Sequence, residues 1–478
     1  MPSLSSIVKA YDVRGLVPDQ LDEDIARALG IAFAQVVGVA DAAVGARPQQ
    51  VVVGHDMRAS SPALSRAFAE GVTSQGGDVV LIGLCSTDGL YYASGALDAP
   101  GAMFTASHNP ARYNGIKLCR SRARPVGQDT GLDDVRDRAE QVLDAGPPAL
   151  PPTHRSGSIS ERDLLAGYAT FLRGQVDLSS GRHLKVVVDA GNGMAGLTVP
   201  AVLGDAAGLA PLDLEVVPLY FELDGTFPNH EANPLEPANL VDLQRAVVDH
   251  GADLGLAFDG DADRCFVIDE QGGAVNPSAV AAIVAVREIE RVRAAGEQDV
   301  AVIHNLITSR FVPETIEAAG ATAIRTRVGH SLIKDRMNET GAVFGGEHSA
   351  HYYFRDFWGA DNGMLAAMHL LAEFGAQQAP LSELATRFTP YALSGELNST
   401  VDDVPAAYTR IVEAFTGRAD FDELDGLTVS GLTAESEPFW WFNVRPSNTE
   451  PLLRLNVEGA DAATMAAIRD EVLALIRG

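Results

Sequence analysis

A unit of strands and loops recurs three times along this chain, and this repetition constrains the fold more than any other feature of the sequence. Each unit opens with a short β-branched run, at residues 51–53, 186–188 and 300–303. Runs this short and apolar are typical of strands that are buried on both faces of a parallel sheet. A second strand follows in each unit, at residues 78–84, 212–219 and 321–327. The sequence therefore predicts three similar α/β domains.

The third strand of each unit, at residues 101–104, 254–258 and 342–344, runs into a polar loop. We name these loops by their reactive side chains: the serine loop (residues 105–110, TASHNP), the aspartate loop (residues 259–264, DGDADR) and the glutamate loop (residues 345–351, GGEHSAH). Ligands of open α/β sheets bind at the carboxyl ends of the strands. We therefore expect the three loops to face one shared cleft.

The chain of 478 residues divides into four predicted domains. A Pro- and Gly-rich segment at residues 144–158 separates the first two, and a softer boundary falls near residues 270–273. After about residue 390 the repeat gives way to an α+β module that ends in an amphipathic helix. The fold class is therefore three similar mixed α/β domains and a C-terminal α+β domain around a central cleft. The expected boundaries are 1–157, 158–272, 273–389 and 390–478.

The charge balance and the cysteines exclude several classes of protein. The chain carries 36 Lys and Arg against 64 Asp and Glu, a net charge of −28, which repels nucleic acid and anionic lipid. The three cysteines are scattered, which argues against a disulfide framework and fits a reducing cytoplasm. The start of the chain lacks a secretory pattern, and no apolar run approaches the roughly 18 residues of a membrane span. We expect a soluble, cytoplasmic protein with no nucleic-acid or membrane partner.

Three carboxylates alternate along the aspartate loop, at Asp259, Asp261 and Asp263. Leaving a buried strand, they can converge on a hard divalent cation such as Mg²⁺, which prefers oxygen ligands. A solvated acidic turn is the simpler alternative. An EF-hand is excluded because Arg264 occupies the position that requires glycine, and the flanks read as strands.

The serine loop places Ser107 beside His108 among small and turn-forming residues. The hydrolase elbow G-x-S-x-G is absent, so acyl transfer has no support. Taken alone, the loop is equally well explained as an ordinary turn. Paired with a metal site on the matching loop of the next repeat, a phosphorylated Ser107 would place an oxygen on Mg²⁺.

A fourth loop, which we call the clamp loop (residues 445–451, RPSNTEP), follows a strand of the last domain. It combines a guanidinium, two hydroxyls and an amide, donors that suit a phosphate that is not transferred. A capped surface turn is the alternative. If the loop binds phosphate, we expect ligand to close the fourth domain over the cleft.

Six motifs in one order resemble a known family. They are residues 11–15 (YDVRG), the serine loop, residues 114–117 (NGIK), the aspartate loop, the glutamate loop and the clamp loop. Together they resemble the α-D-phosphohexomutases, in particular the bacterial phosphomannomutase/phosphoglucomutase branch, from about residue 9 to residue 454. Any one of these motifs alone would be weak support.

The resemblance implies an intramolecular phosphotransferase, an isomerase with a deep central cleft. It would interconvert mannose 1-phosphate and mannose 6-phosphate, and glucose phosphates as well, with hexose 1,6-bisphosphate as intermediate and activator. Ser107 would carry the phosphoryl group and join Asp259, Asp261 and Asp263 around Mg²⁺. The other implied catalytic residues are Arg14, His108, Lys117 and His351. The implied substrate contacts are Tyr11, Arg264, His330, Glu347, Ser349, His351, Arg445, Ser447, Asn448 and Thr449.

Alternatives and departures from the family pattern stay open at this point. A phosphoglucosamine mutase, an aspartate-nucleophile sugar phosphatase acting through Asp259, and a non-catalytic phosphosugar-binding protein are the other hypotheses. The aligned position of a family lysine is Ile307, so its phosphate or hydroxyl contact is either missing or supplied by Arg310. Ala350 stands where glycine is usual, which would restrict the glutamate loop. The preferred sugar is undecided, and we expect a monomer or weak dimer.

Overall fold

The computed structural model of this chain describes residues 3–39, 50–148, 155–431, 438–446 and 452–478, without the side chains of His330 and Ser331. Over these ranges the strands form four sheets in chain order. The predicted fold class, three mixed α/β units followed by an α+β unit, is confirmed.

The first sheet has the order β1-β5-β4-β2-β3-β7, with β6 paired to β5. Its strands are β1 (Val13–Leu16), β2 (Gln50–His55), β3 (Asp78–Leu84), β4 (Gly101–Phe104), β5 (Tyr113–Arg120), β6 (Arg124–Pro125) and β7 (Ile159–Glu161). Its helices are α1 (Glu23–Val36), α2 (Ser61–Ser74), α3 (Thr87–Ala96) and α4 (Leu132–Ala145). Because β7 pairs with β3, the first sheet extends past the expected boundary at residue 157.

The second sheet has the order β12-β11-β10-β8-β9. Its strands are β8 (Leu184–Asp189), β9 (Leu214–Leu219), β10 (Leu254–Phe258), β11 (Cys265–Asp269) and β12 (Ala274–Val275). The accompanying helices are α5 (Leu165–Gln175), α6 (Ala195–Val202) and α7 (Val241–His250).

The third sheet has the order β14-β13-β15-β16-β17. Its strands are β13 (Ala301–Asn305), β14 (Thr322–Thr326), β15 (Phe344–Gly346), β16 (Tyr352–Phe354) and β17 (Ala360–Asp361). Its helices are α8 (Pro277–Ala294), α9 (Phe311–Ala318), α10 (His330–Thr340), α11 (Gly363–Gly375) and α12 (Leu381–Arg387).

The fourth sheet is antiparallel, with the order β18-β22-β21-β20-β19. Its strands are β18 (Ala392–Thr400), β19 (Ala419–Asp422), β20 (Leu427–Gly431), β21 (Trp440–Pro446) and β22 (Leu452–Gly459). The helices α13 (Val404–Phe415) and α14 (Ala462–Arg477) pack with it around a core cluster of its own, which runs from Ala407 to Ile476.

The first three sheets share one arrangement at their centre. In each, the first strand of the unit lies between the other two and pairs parallel with both, as β2, β8 and β13 do. An antiparallel strand then lies beside the third strand of each unit. The serine, aspartate and glutamate loops follow or end the third strands β4, β10 and β15, so they occupy equivalent sheet edges.

Local sequence signals explain where helices begin. The side chain of Asn276 accepts the N–H of Ser278 at 2.8 Å, and Pro277 opens α8, as expected for a capped first turn. Asp461 caps α14 in the same way through the N–H of Thr464 at 2.8 Å. Among the helices of the described residues, none is both long enough and apolar enough to cross a bilayer.

Candidate active site

A cleft of about 1250 Å³ lies between the sheets, and predicted site residues line it. Those on its wall are Tyr11, Arg14, Ser107, His108, Lys117, Asp263, Arg264 and His351. They come from the first three domains, and most follow the carboxyl ends of parallel strands, where an α/β sheet binds its ligand. The serine, aspartate and glutamate loops lie at equivalent edges of three separate sheets, and these edges face one cavity.

The serine loop makes a tight turn after β4. Ser107 has a φ of 49°, in the left-handed region, which is strained for a residue with a Cβ. Its N–H donates to Thr105 Oγ1 at 2.9 Å. The aspartate loop packs directly against it, since a Cβ at Gly260 would lie 2.5 Å from the Ser107 carbonyl oxygen. Glycine at position 260 is what allows the two loops to approach this closely.

Arg58, which no sequence motif indicated, holds the backbone of the serine loop through hydrogen bonds. The side chain is buried and pairs with Asp56 at 3.2 Å. Its Nη atoms donate at 2.7–3.0 Å to four main-chain carbonyls, those of Ser107, Asn109, Pro110 and Tyr113. The available signal was its position just after β2, at the same sheet edge as the serine loop. Arg58 therefore fixes the backbone that carries Ser107.

The aspartate loop gathers three buried carboxylates whose ligand oxygens lie within 4.8 Å of one another. Ser107 Oγ donates to Asp259 Oδ2 at 2.8 Å. Oδ1 of Asp261 and Oδ1 of Asp263 accept no hydrogen bond from any described residue. Buried carboxylate oxygens that converge without a donor are what a hard cation requires, so these residues fit the predicted Mg²⁺ site.

Two cations neutralise part of this negative charge. Lys117 Nζ lies 2.7 Å from Asp261 Oδ2 and 2.5 Å from Asp263 Oδ2, and Arg264 Nη2 lies 2.8 Å from Asp259 Oδ2. Burial raises the pKa of Asp259 to about 7, against the attraction of Arg264. Burial also disfavours the charged Asp261, but the Lys117 ammonium outweighs it and lowers the Asp261 pKa below its usual range. Lys117 and Arg264 thus make this carboxylate cluster tolerable in the interior.

His108 and Arg14 lie on the other side of Ser107. Nδ1 of His108 lies 2.7 Å from Arg264 Nη2 and 3.3 Å from Ser107 Oγ. Burial, then Arg264 and Arg14, lower the pKa of His108 well below its usual value. Arg14 donates to Asp12 at 2.6 Å and to Asn109 at 2.7 Å. His108 is therefore a neutral ring that accepts from Arg264, and Arg14 contributes a fixed positive charge.

The glutamate loop holds Glu347 inside the third sheet. The side chain is 2% exposed, accepts from Asn305 Nδ2 at 3.0 Å, and accepts from the Tyr353 hydroxyl. No sequence motif indicates Asn305 or Tyr353, although Asn305 ends β13 at the functional sheet edge. In this conformation both carboxylate oxygens are bound by protein donors, so the role of Glu347 in binding sugar hydroxyls stays a prediction.

Ser349 lies beside His351, which lines the cleft. Ser349 Oγ lies 2.9 Å from His351 Nδ1, and His351 Nε2 lies 3.9 Å from Asp263 Oδ1. Between them, Ala350 has a φ of 63°, the left-handed conformation for which glycine is better suited. The expected backbone restriction at Ala350 is therefore real, and it fixes the relation between the two polar side chains.

The clamp loop lies largely outside the described residues, which exclude Ser447, Asn448 and Thr449, and the side chain of His330 is outside them as well. Arg445 Nη2 lies 3.2 Å from Glu396 Oε2. Arg454, which the sequence analysis did not single out, lines the cleft and lies 3.2 Å from Glu396 Oε1. Glu396 thus holds two guanidinium groups of the fourth sheet near one another.

Position 307, where the family often has lysine and this chain has isoleucine, lies in the protein interior. Ile307 is buried, and Arg310 lies 2.8 Å from Glu314 Oε1 with its guanidinium over the Phe439 ring. Arg310 therefore packs at the contact between the third and fourth sheets. The expectation that Arg310 replaces the family lysine gains no support from these contacts.

Four family models match the chain in order. They are phosphoglucomutase/phosphomannomutase alpha/beta/alpha domain I at residues 5–143, domain II at 166–273, domain III at 276–391, and the C-terminal domain at 396–475. The chain belongs to the phosphoglucomutase/phosphomannomutase family. The family and the four-domain architecture predicted from the sequence are confirmed.

Similar proteins and a similar solved structure agree with this assignment. Phosphohexose mutases of Xanthomonas campestris pv. campestris (strain ATCC 33913) are 41% identical over 477 residues, which covers 98% of this chain and 99% of theirs. Phosphomannomutase of Salmonella typhimurium (strain LT2) is 38% identical over 475 residues, covering 98% of each chain. A crystal structure of a phosphoglucomutase/phosphomannomutase family protein from Burkholderia thailandensis is 31% identical, with a TM-score of 0.83, and covers 98% of this chain and 96% of that one.

Proposed function

We propose that this protein is a Mg²⁺-dependent mutase that interconverts mannose 1-phosphate and mannose 6-phosphate, and glucose phosphates as well, with Ser107 as the phosphoryl carrier. One observation carries the proposal: the Ser107 hydroxyl donates to Asp259 at 2.8 Å, inside the same buried cluster as Asp261 and Asp263. A nucleophile and a cation site in contact are the minimum that phosphoryl transfer requires.

The reaction takes place in two transfers of opposite direction. The phosphoryl group on Ser107 Oγ passes to the free hydroxyl of a hexose 1-phosphate, so that a new P–O bond forms as the bond to Ser107 breaks. The hexose 1,6-bisphosphate then turns in the cleft and returns its other phosphoryl group to Ser107, releasing the 6-phosphate. The same bisphosphate, added as activator, loads a serine that is not phosphorylated.

The protein supplies charge and proton transfer around these steps. Arg14, Lys117 and Arg264 surround Ser107 with positive charge, which stabilises a transferring phosphoryl group. Mg²⁺ held by the three aspartates would neutralise further charge on that group. Lys117 and His351, which approach Asp263 from two sides at 2.5 and 3.9 Å, are the candidates to exchange the proton of the sugar hydroxyl.

Recognition of either end of the sugar is assigned to the third and fourth domains. Glu347, Ser349 and His330 are proposed to bind sugar hydroxyls, and Tyr11 lines the same cleft. Arg445, with Ser447, Asn448 and Thr449, is proposed to bind the phosphate that is not transferred. A bound phosphate would compete with Glu396 for the Arg445 guanidinium.

The direct test supplies mannose 1-phosphate, Mg²⁺ and a trace of hexose bisphosphate, and follows mannose 6-phosphate beside parallel reactions with glucose and glucosamine 1-phosphates. Turnover of mannose and glucose phosphates is expected, and faster turnover of glucosamine 1-phosphate would favour a phosphoglucosamine mutase. Ser107→Ala is expected to lower turnover by on the order of a thousandfold or more, because the nucleophile is lost. A Ser107→Ala protein that still hydrolyses sugar phosphates would instead establish a phosphatase that acts through Asp259.

Intact mass distinguishes an enzyme from a binding protein. Incubation with hexose bisphosphate is expected to add one phosphoryl group to the wild-type chain and none to Ser107→Ala. A wild-type chain that binds sugar phosphate but never carries a phosphoryl group would contradict the proposal.

A further inference from the structure

Thr87 reaches the aspartate loop from the neighbouring domain. It is the first residue of α3 in the first domain, and it is fully buried. Its N–H donates to the main-chain carbonyl of Asp261 at 3.0 Å, and its Oγ1 donates to Asp261 Oδ2 at 2.5 Å. One residue thus binds both the backbone and the carboxylate of Asp261, 174 positions away in the chain.

The two oxygens of Asp261 have different surroundings. Oδ2 accepts from Thr87 and from Lys117 Nζ at 2.7 Å. Oδ1 is buried and accepts no hydrogen bond from any described residue. The donors on Oδ2 fix the plane of the carboxylate, and this leaves Oδ1 as the oxygen available to a cation.

Thr87 itself has little freedom to move. The hydroxyl of Ser86 caps α3 by accepting the N–H of Gly89 at 3.1 Å. The next residue, Asp88, is buried and accepts from the Tyr168 hydroxyl of the second domain at 2.6 Å. The turn that carries Thr87 is therefore anchored to the first domain by its cap and to the second domain by two side-chain hydrogen bonds.

We propose that Thr87 is a positioning residue for the divalent cation: it orients Asp261 so that Oδ1 faces the metal. The inference rests on the proposed function, since it assumes the Mg²⁺ site of the aspartate loop. Hydrogen bonds to metal ligands from neighbouring residues usually change metal affinity by 10–100-fold. The second domain thus holds the three carboxylate ligands, and the first domain sets the orientation of the central one.

The test measures cation binding directly, using Mn²⁺ as a paramagnetic replacement for Mg²⁺ in titrations of the full-length protein followed by electron paramagnetic resonance. Thr87→Val keeps the shape of the side chain and removes the hydroxyl, and we expect it to weaken Mn²⁺ binding about 10-fold or more. Thr87→Ser keeps the hydroxyl and is expected to bind Mn²⁺ within about twofold of wild type. An unchanged Mn²⁺ affinity in folded Thr87→Val would overturn the inference.

Tyr168→Phe is the matched control, because it removes the neighbouring interdomain hydrogen bond without touching Asp261. If Thr87 acts through Asp261, Tyr168→Phe keeps the wild-type Mn²⁺ affinity. Equal weakening in Tyr168→Phe and Thr87→Val would mean that general loosening of the interface is responsible, and would also overturn the inference. Should Thr87→Val not fold, Thr87→Ala takes its place with the same expected result.

The wild-type titration separates this inference from the proposed function. A wild-type protein that binds no Mn²⁺ would refute the metal site, and with it the mutase mechanism. A wild-type protein that binds Mn²⁺, together with a Thr87→Val protein that binds it equally well, would refute only the role of Thr87.

Discussion

The interface of the first two domains and that of the last two are built in different ways. The first, which we call the floor of the cleft, consists of buried polar and charged pairs, among them Ser107–Asp259 and Lys117–Asp261. The second, which we call the clamp side, has a buried carboxylate, Glu458, and at its rim the partly exposed Arg325–Asp422 ion pair.

Glu458 is the centre of the clamp side. It lies in β22 and accepts from the Ser309 hydroxyl, from the N–H of Arg310 at 2.9 Å and from Trp441 Nε1. Two of these donors lie directly before α9 in the third domain. A carboxylate of the fourth domain therefore binds the start of a helix of the third domain.

This contrast indicates which part of the enzyme is free to move. Separating the floor would leave several buried charges without partners, which is strongly unfavourable. Separating the rim of the clamp side would break a partly exposed ion pair that contributes little, while Glu458 keeps the domains attached. We therefore expect the reacting groups to stay fixed while the fourth domain moves over the cleft, and four predictions test this contrast.

The largest effect is expected for Arg58→Met; Arg58 is a first-domain residue that meets the second domain where its guanidinium lies over the Phe227 ring. The change leaves Asp56 as a buried carboxylate without its charged partner and removes donors from three carbonyls of the serine loop and from that of Tyr113. We expect the free energy of unfolding to fall by about 3–5 kcal/mol, measured by urea denaturation. The control is Arg27→Met, whose ion pairs are exposed, with an expected change of at most about 1 kcal/mol. Similar losses in the two variants would contradict the contrast between buried and exposed pairs.

The second prediction concerns the pH dependence of the floor. Burial raises the pKa of Asp88 from 3.8 to about 7, although Ser86 and Tyr168 donate to the carboxylate. Between these pH values the folded protein holds a proton that the unfolded chain releases, so this group makes stability fall as pH rises, by up to about 1.4 kcal/mol per pH unit.

Asp88→Asn is expected to remove this contribution. Urea denaturation of both proteins between pH 5 and about 8 should show the wild type losing stability relative to Asp88→Asn as pH rises. Asp24→Asn, at an exposed side chain, is the control and should follow the wild-type profile. Parallel profiles for wild type and Asp88→Asn would show that Asp88 is ionised throughout.

A smaller effect is expected for Glu458→Ala at the clamp side. The N–H of Arg310 and Trp441 Nε1 lose their acceptor, which costs about 1–3 kcal/mol. We expect a lower melting temperature of the fourth domain and a higher KM for sugar phosphate, with unchanged Mn²⁺ affinity. Glu471→Ala, which breaks a partly exposed pair within the fourth domain, is the control with a change below about 1 kcal/mol. Loss of Mn²⁺ affinity in Glu458→Ala would mean that the two interfaces are not independent.

The smallest effect is expected for Arg325→Ala at the rim. Arg325 pairs with Asp422 across the third and fourth domains, and both side chains are partly exposed. We expect a loss of at most about 1 kcal/mol in urea denaturation at low salt, and a smaller loss in about 1 M salt, which screens exposed charges. A loss that salt does not reduce would place Arg325 among the buried, fixed contacts instead.

Much of the fold was predictable because its signals are local. The strands Asp78–Leu84, Gly101–Phe104 and Leu254–Phe258 have the bounds that their apolar runs predict. The third strand of the third unit is shifted, since β15 covers Phe344–Gly346 rather than residues 342–344. The two glycines pair with β16 and extend the ladder into the glutamate loop, which an apolar run cannot indicate.

The residues of the candidate site likewise differ in whether the sequence could predict them. Ser107 and the three aspartates could be named because each motif follows a strand within a few residues. Arg58 and Thr87 could not, because their partners lie 49 and 174 positions away and neither residue belongs to a recognisable motif. The inward position of Glu347 also escaped prediction, since it depends on Asn305 from another strand.

The three repeated units, the order of their loops and the residue types that phosphoryl transfer needs can all be inferred from the order of the amino acids. These follow from periodicity and from short motifs, which are properties of contiguous stretches of chain. Which donors occupy each carboxylate oxygen, and therefore which oxygens remain for a cation, depends on how the domains pack. Hydrogen bonds are directional and act over about 3 Å, so their partners are fixed only when the domains pack.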